Sequence, residues 1–366
     1  MDLVVNRTAF LQELSPMMGI VERKSTIRVL SHVMIQATGN ELKLAATDLD
    51  VSLTSSLEGD ITGEGGVVVP AKKFHEIVRA CSGEEMRLTC DEGNSLEIKA
   101  GKSRFKILGL ATEEFPKLPV VEGDALGLPF ATLQGMVAKV IFAVSTEDSR
   151  FQLNGALLKM KNGSMELVAT DGHRLALVEN SVEGGEEAEG VLIPRKALME
   201  LQRLDAEGSV GFSKGENHLS FALGNRTLTC RILEGTFPDY ERVIARDHEK
   251  NAVLDRAELL EVVQRVSLLT GDRLRSVRCE FSEDQLTVSA TNPELGEAVE
   301  QLECALTGEE VKIGLNPDYL AQFLTAVDSK QIQIHLKDEN AQSVAVPVEG
   351  NDSRYLCVIM PMRLTA

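Results

Sequence analysis

The sequence predicts an α+β protein built from three tandem, similar domains, and three observations carry that prediction. The segments LKLAATDLDVSLTSS around Thr47, MELVATDGHRLALVE around Thr170 and QLTVSATNPELGEAVEQ around Thr291 repeat one pattern. Each is an alternating apolar strand, a Thr-Asp or Thr-Asn step, and a second alternating strand. The stations lie 123 and 121 residues apart in a chain of 366 residues, and so long a period denotes repeated whole domains, not a solenoid of small units. Other landmarks keep step: VVVPAKKFHEIVRAC at Pro70 matches VLIPRKALMELQRLD at Pro194 and IGLNPDYLAQFLTAVD at Asn316, while Phe115-Pro116 matches Phe237-Pro238. The implied domains are 1–122, 123–247 and 248–366.

Each domain contributes two helix candidates, each followed by strands. Apolar spacing marks TAFLQELSPMM, ATLQGMVAKVIFAV and AELLEVVQRVSLL as the first helices of the three domains. In the second helix of domain one, Pro70 stands at the first turn, where its missing N–H costs nothing. Phe74, Ile77, Val78 and Cys81 then form an apolar face, with Lys72, Lys73, Glu76 and Arg79 on the other side. Domain two repeats the device with Leu198, Leu201 and Leu204 against Arg195, Lys196 and Arg203. The predicted helices cover 6–18, 70–82, 129–145, 194–204, 255–270 and 316–328. SLEIKAGKSRFKILGL, HLSFALGNRTLTCRIL and QIQIHLKDENAQSVAVPV each read as strand, polar turn and returning strand, an antiparallel hairpin. Residues 118–129 and 241–255 read as linkers, and the acidic stretch 183–190 as a solvated loop.

Composition bounds the function. The net charge of −18 argues at first against a polyanionic partner. The distribution argues otherwise: the six helices carry ten basic and eight acidic residues, +2 in total, which leaves −20 on everything else. The six cysteines are scattered without ligand spacing, as expected of free thiols in a reducing cytoplasm. No basic, apolar leader opens the chain and no 18-residue apolar run occurs, so neither secretion nor a membrane span is expected.

Catalytic motifs are missing. Ala100-Gly101-Lys102-Ser103 lacks the glycine a phosphate loop needs at position 96, which is Leu, and it lies in a hairpin. Thr170-Asp171-Gly172-His173-Arg174 is the most enzyme-like string, and a hydrolase would draw on Asp171 or His173. The matching stations read Thr47-Asp48-Leu49 and Thr291-Asn292-Pro293, however, so the Thr-Asp step is a turn device in which the Asp side chain bonds following N–H groups. Gly-His-Arg is peculiar to domain two. The chain also stays apolar almost to its end, with Met360, Pro361, Met362 and Leu364 followed only by Thr365-Ala366; Met-rich surfaces adapt to several partners.

The three domains of about equal length, TDGHRLAL, VLIPRKALMEL, EGTFPDYERV and the terminal VIMPMRL together resemble the beta sliding clamp family, the processivity subunits of bacterial DNA polymerase III. The resemblance implies the DNA clamp fold: a head-to-tail homodimeric ring, antiparallel sheets outside, helices lining a central hole, and duplex DNA bound without regard to sequence. It implies no catalysis and no cofactor. Its DNA-facing candidates here are Lys24, Lys72, Lys73, Arg79, Lys139, Arg150, Arg195, Lys196 and Arg203. It implies a pocket for short peptides of the polymerase III alpha subunit, the clamp loader and other partners, at Leu153, Thr170, Gly172, His173, Arg174, Leu175, Pro238, Arg242, Val243, Tyr319, Val344, Met360, Pro361, Met362 and Leu364. For ring closure it sets Lys102, Arg104, Phe105 and Leu108 of one copy against Leu268, Leu269, Glu300 and Glu303 of the other. A pure protein scaffold of the same architecture, and a hydrolase at Asp171 and His173, are the competing readings.

Overall fold

The computed structural model describes residues 1–366 except 23–25, 162, 183–187, 245–247, 272–274, 351–353 and 364–366. One order of elements, strand, helix and three strands, recurs six times. The first module is β1 (Asp2–Asn6), α1 (Arg7–Ile20), β2 (His32–Thr38), β3 (Glu41–Thr47) and β4 (Val51–Glu58). After a short β5 (Asp60–Gly63) comes the second: β6 (Gly65–Pro70), α2 (Ala71–Ala80), β7 (Glu85–Cys90), β8 (Ser95–Ala100) and β9 (Ser103–Leu108). The middle repeat holds β10 (Leu126–Pro129), α3 (Phe130–Val140), β11 (Gly155–Lys161), β12 (Ser164–Thr170) and β13 (Arg174–Ser181). Its second module is β14 (Ala188–Pro194), α4 (Arg195–Arg203), β15 (Ser209–Lys214), β16 (His218–Leu223) and β17 (Arg226–Arg231). The last repeat has β18 (Lys250–Asp255), α5 (Arg256–Val266), β19 (Val277–Phe281), β20 (Gln285–Asn292) and β21 (Gly296–Glu303). A short β22 (Ala305–Thr307) leads into β23 (Val311–Leu315), α6 (Pro317–Ala326), β24 (Gln331–Leu336), β25 (Ser343–Pro347) and β26 (Arg354–Ile359).

The two modules of a repeat exchange their first strands. β1 joins β7-β8-β9 while β6 joins β2-β3-β4; β10 and β14 join β15-β16-β17 and β11-β12-β13; β18 and β23 join β24-β25-β26 and β19-β20-β21. All these pairs are antiparallel. Third strands then fuse sheets of successive repeats. β17 pairs with β4, Arg226 opposite Ser55, and β26 pairs with β13, Ile359 opposite Arg174. β9 and β21 remain edge strands of their sheets.

Two compact units result, residues 1–131 with 196–232 and residues 132–195 with 233–366. The division runs through the middle repeat because each half of that repeat shares a sheet with its neighbour. In the first unit Phe10, Leu14, Met17, Phe74 and Val78 are fully buried, and the Phe10 and Phe74 rings meet edge to face at 5.7 Å. Each such side chain contributes about 1.5–3 kcal/mol of burial. In the second unit Leu259, Val263, Leu320 and Phe323 of α5 and α6 are buried, and the Phe323 ring meets that of Tyr355 on β26 at 5.5 Å. Asn6, Asp255 and Asn316 cap α1, α5 and α6 through their side chains, each worth about 1 kcal/mol.

Several expected boundaries move. α3 stops at Val140, whose φ of −125° leaves the helix, and Ile141–Ala143 form a 3-10 turn; Ser267–Leu269 likewise follow α5 as a 3-10 turn. Apolar spacing continues through both, so periodicity overshot. The expected linkers contain β10 and β18, and the end of the expected acidic loop enters β14. β10 and β14 are edge strands, where Pro, Gly and Glu are tolerated.

Candidate functional site

The site begins with a turn. Between β12 and β13, Thr170 Oγ1 donates to the Arg174 carbonyl at 2.6 Å and accepts from Gly172 N–H at 3.1 Å. Asp171 Oδ1 accepts from the N–H groups of His173 and Arg174 at 2.9 and 3.0 Å. Gly172 sits at φ +87°, where a Cβ is strained. The turn between β3 and β4 is the same device: Thr47 Oγ1 bonds the Val51 carbonyl and Leu49 N–H, and Asp48 Oδ1 takes the N–H groups of Asp50 and Val51. The structural reading of the Thr-Asp step holds in both.

In the second unit this turn forms one wall of a mostly apolar cavity of about 110 Å³, lined by Leu153, Thr170, Gly172, Arg174, Leu175, Pro238, Tyr240, Val243, Val358 and Met360. Eight of the expected peptide-pocket residues meet here. Tyr240 and Val358 were not expected; the first belongs to the FPDY motif and could have been found there, while Val358 is one more apolar residue of a last strand. Tyr240 is anchored by its hydroxyl, which donates to Glu166, and by Lys159 at 3.0 Å. Burial, reinforced by the Glu166 carboxylate, pushes that hydroxyl's pKa upward and keeps it protonated. Met360 N–H bonds the His173 carbonyl at 3.0 Å, which ties the last strand's end to the turn.

Other expected pocket residues fall around it. His173 and Tyr319 line a neighbouring polar cavity with Ser145, Glu147, Asp171, Arg174, Arg195 and Gln322. Burial, then the Asp171 charge, raises the Tyr319 hydroxyl's pKa. Val344 is buried in the core behind the pocket with Leu175 and Val358. Arg242 is exposed and pairs with Asp239 at 2.7 Å, away from the lining. Pro361 and Met362 are half-buried, the latter bonded through its N–H to Gly314 on β23. Leu364 lies outside the described residues.

The expected DNA-facing cations differ in freedom. Lys72 and Arg79 on α2 are exposed and bond no described residue, whereas Lys73 pairs with Glu76 at 2.5 Å. Lys196 is tied down: its ammonium donates to the Ile20 carbonyl at 2.6 Å and to Asp48. Arg203 pairs with the buried Glu200 at 2.6 Å, Arg150 with Glu147 and the Asp171 carbonyl, and Lys139 approaches Asp328 at 3.7 Å and the Tyr355 ring. Arg195 forms no ion pair with a described residue, and its buried Nε–H has no partner among them. Lys24 lies outside the described residues.

The expected closure residues occupy the two edge strands and their surroundings. Lys102, Arg104, Phe105 and Leu108 lie on or beside β9; Glu300 and Glu303 are on β21, with Leu268 and Leu269 in the 3-10 turn after α5. Leu108 and Leu268 are 72% and 77% exposed. Within the chain, Arg104 bonds Glu97 and Glu300 accepts from Arg265 at 2.8 Å.

The Asp171 carboxylate, which a hydrolase would draw on, is engaged by the turn and by Arg174 at 3.1 Å. Among the described residues no group of three or more His, Cys, Asp or Glu is placed to hold a metal.

Sequence models of the DNA polymerase III beta subunit match in order: its N-terminal domain at residues 1–119, central domain at 127–239 and C-terminal domain at 241–363. The beta sliding clamp of Pseudomonas aeruginosa is 35% identical over 372 residues and that of Caulobacter vibrioides 34% over 377, with both chains of each pair covered completely. A crystal structure of the DNA polymerase III beta subunit of P. aeruginosa superposes with a TM-score of 0.93 at 33% identity. The Bartonella birtlesii sliding clamp bound to griselimycin gives 0.95 at 34%, again over the whole of both chains.

Proposed function

The chain belongs to the bacterial DNA polymerase III beta subunits, the beta sliding clamps, and from that premise we propose that two copies close head to tail into a ring around duplex DNA. As a DNA sliding clamp it is a non-catalytic processivity factor with DNA and polymerase as partners.

One observation carries the ring. Wherever two repeats join within the chain, the third strand of a second module pairs with the third strand of a first module: β17 with β4, and β26 with β13. By the same rule β9 of one copy takes β21 of the next. Apolar Phe105 and Leu108 then face Leu268 and Leu269, and the basic β9 faces the acidic β21. Arg104 and Glu300 shift from their partners within the chain into a shared network. Two copies of three repeats then pair every third strand, provided the rotation between head-to-tail copies closes.

In this reading α1 to α6 line the hole. Lys72, Lys73, Arg79, Lys139, Arg150, Arg195 and Arg203 meet phosphates, Lys24 contributes from outside the described residues, and Lys196 acts through the junction it holds. Few, dispersed cations attract a duplex without trapping a register. The apolar cavity at Leu175, Val243 and Met360 takes an apolar side chain of linear peptides from the polymerase III alpha subunit and the clamp loader. No described helix is long and apolar enough to cross a membrane; we place the protein in the cytoplasm, with the replication machinery.

The test is retention of labelled protein on nicked circular DNA, loaded with its clamp loader and ATP, before and after a single restriction cut. Loss on cutting is expected. Equal retention on circle and linear DNA means ordinary binding and removes the ring.

A further inference from the structure

We infer that Gln322, a residue outside the apolar cavity, is a positioning residue for peptide binding that acts through Arg174. The inference rests on the peptide-pocket reading above. Arg174 is 8% exposed and forms the wall between the apolar cavity and the polar one behind it. Its guanidinium is held in three directions. Nε donates to Asp171 in its own turn at 3.1 Å, Nη1 donates to Gln322 Oε1 at 2.5 Å, and Nη2 donates to the Phe142 carbonyl. The Tyr319 and Phe142 rings lie 4.2 and 5.3 Å from its central carbon.

Only Asp171 belongs to the turn. Tyr319 and Gln322 stand one turn apart on α6, and Phe142 follows α3, so the pocket's polar wall is set from the C-terminal domain and from the far end of the central one. A planar guanidinium presents its donors in a fixed fork. Without the Gln322 acceptor, Nη1 loses its partner on the polar-cavity side and the guanidinium loses one of its three fixed points. The side chain then gains alternative rotamers that intrude on the space a peptide side chain fills. Gln322 touches the polar cavity and the groove between α5 and α6 but no part of the apolar pocket, so its effect on binding travels through Arg174.

The experiment measures binding of the cognate polymerase III alpha subunit to immobilised full-length clamp by surface plasmon resonance. Gln322→Leu is expected to weaken binding on the order of tenfold, mainly through faster dissociation. Gln322→Glu, which keeps an acceptor for Nη1, restores it. In an Arg174→Lys background Gln322→Leu adds no further loss, because residues in one network are not additive. Wild-type binding by Gln322→Leu, or Gln322→Glu as weak as Gln322→Leu, overturns the inference. Thermal unfolding of each variant guards against misfolding, and Gln322→Asn, which withdraws the acceptor by one methylene, is the milder substitute with the same expected direction. Met360→Asp separates the two levels. If it abolishes binding while Gln322→Leu is neutral, only the positioning role fails; if it leaves binding intact, the peptide-pocket reading fails.

Discussion

Replacing Gly172 by Ala tests the turn that carries the pocket wall. Gly172 lies at φ +87°, and a Cβ there would sit 2.7 Å from Arg150 Nη1. That guanidinium donates to the Asp171 carbonyl at 3.0 Å and must leave it. The left-handed backbone costs an L-residue about 1 kcal/mol, of which the stiffer unfolded chain of Ala returns about 0.5 kcal/mol, and the displaced, partly exposed hydrogen bond costs about another 1 kcal/mol. Near 1.5 kcal/mol in all corresponds to a fall in melting temperature of about 3–6 °C for a body of this size. Thermal unfolding of the single and double variants checks the sum: in an Arg150→Ala background, Gly172→Ala should cost only the backbone part. Leu49 is the control, because it holds the same station of the β3–β4 turn at φ +83° with an exposed side chain. Leu49→Gly relieves about 1 kcal/mol of strain and loses about 0.5–1 kcal/mol to unfolded-chain entropy, so it should be nearly neutral. A neutral Gly172→Ala, or a cost unchanged by removing Arg150, refutes the reasoning.

Arg226→Met should destabilise by about 3 kcal/mol at neutral pH, since it strands the buried Glu13 that Arg226 contacts at 2.7 and 2.9 Å, and Glu13→Gln in the same chain should recover most of the loss in urea titrations. Burial alone would raise the Glu13 pKa, but hydrogen bonds from Arg226 and Ser55 outweigh it and hold the carboxyl below its ordinary 4.5. Its stabilisation is therefore present above pH 4.5 and lost as pH falls through the lower folded value. In Arg226→Met only the side-chain hydrogen bonds of Ser55 and Asn225 still oppose burial, the sign reverses, and the penalty should shrink as pH is lowered from 7 toward 5. Lys72→Glu with Arg79→Glu should make the salt dependence of DNA association shallower by about 2 in log–log slope; Lys196→Met should leave that slope unchanged and lower thermal stability instead, and an equal change of slope would return Lys196 to the phosphates.

What the sequence made legible follows from what each element depends on. α2 was readable because Phe74, Ile77 and Val78 must face one core and Lys72, Lys73 and Arg79 must not. The end of α3 was not, because Ile141 and Ala143 continue the apolar pattern while the backbone turns away at Val140. β10 and β14 look like linkers and loop because an edge strand needs only one neighbour, and the neighbour, not local propensity, decides. The pocket's turn was visible in the repeat of Thr-Asp. The fate of Lys196 was not, since Asp48 lies 148 residues away. Position on a polar helix face made it a candidate for phosphate; tertiary structure gave it a carboxylate.

That last contact and the pocket wall share an origin. In both turns one oxygen of the Asp carboxylate closes the turn on two backbone N–H groups, a task that any copy of the repeat must perform. The second oxygen is spare, and the repeats have used it differently. Asp48 Oδ2 accepts Lys196 and so pins α4 against the first repeat, whereas Asp171 Oδ2 accepts Arg174 Nε and so fixes the wall of the apolar cavity. In the third repeat Asn292 Oδ1 still takes the Glu294 N–H at 2.9 Å, but an amide offers no second carboxylate oxygen and carries no charge to recruit a cation. One turn, duplicated, therefore supplies a junction in the first repeat and a binding-site wall in the second. Asp171→Asn separates these duties: the turn keeps its acceptor while Arg174 loses its anion. Peptide affinity should fall in both variants, and stranding the buried Arg174 cation should lower the melting temperature in both, but Asp171→Ala, which also removes the turn's acceptor, should lower it further; equal melting losses in the two variants would mean that the oxygens do not divide the work.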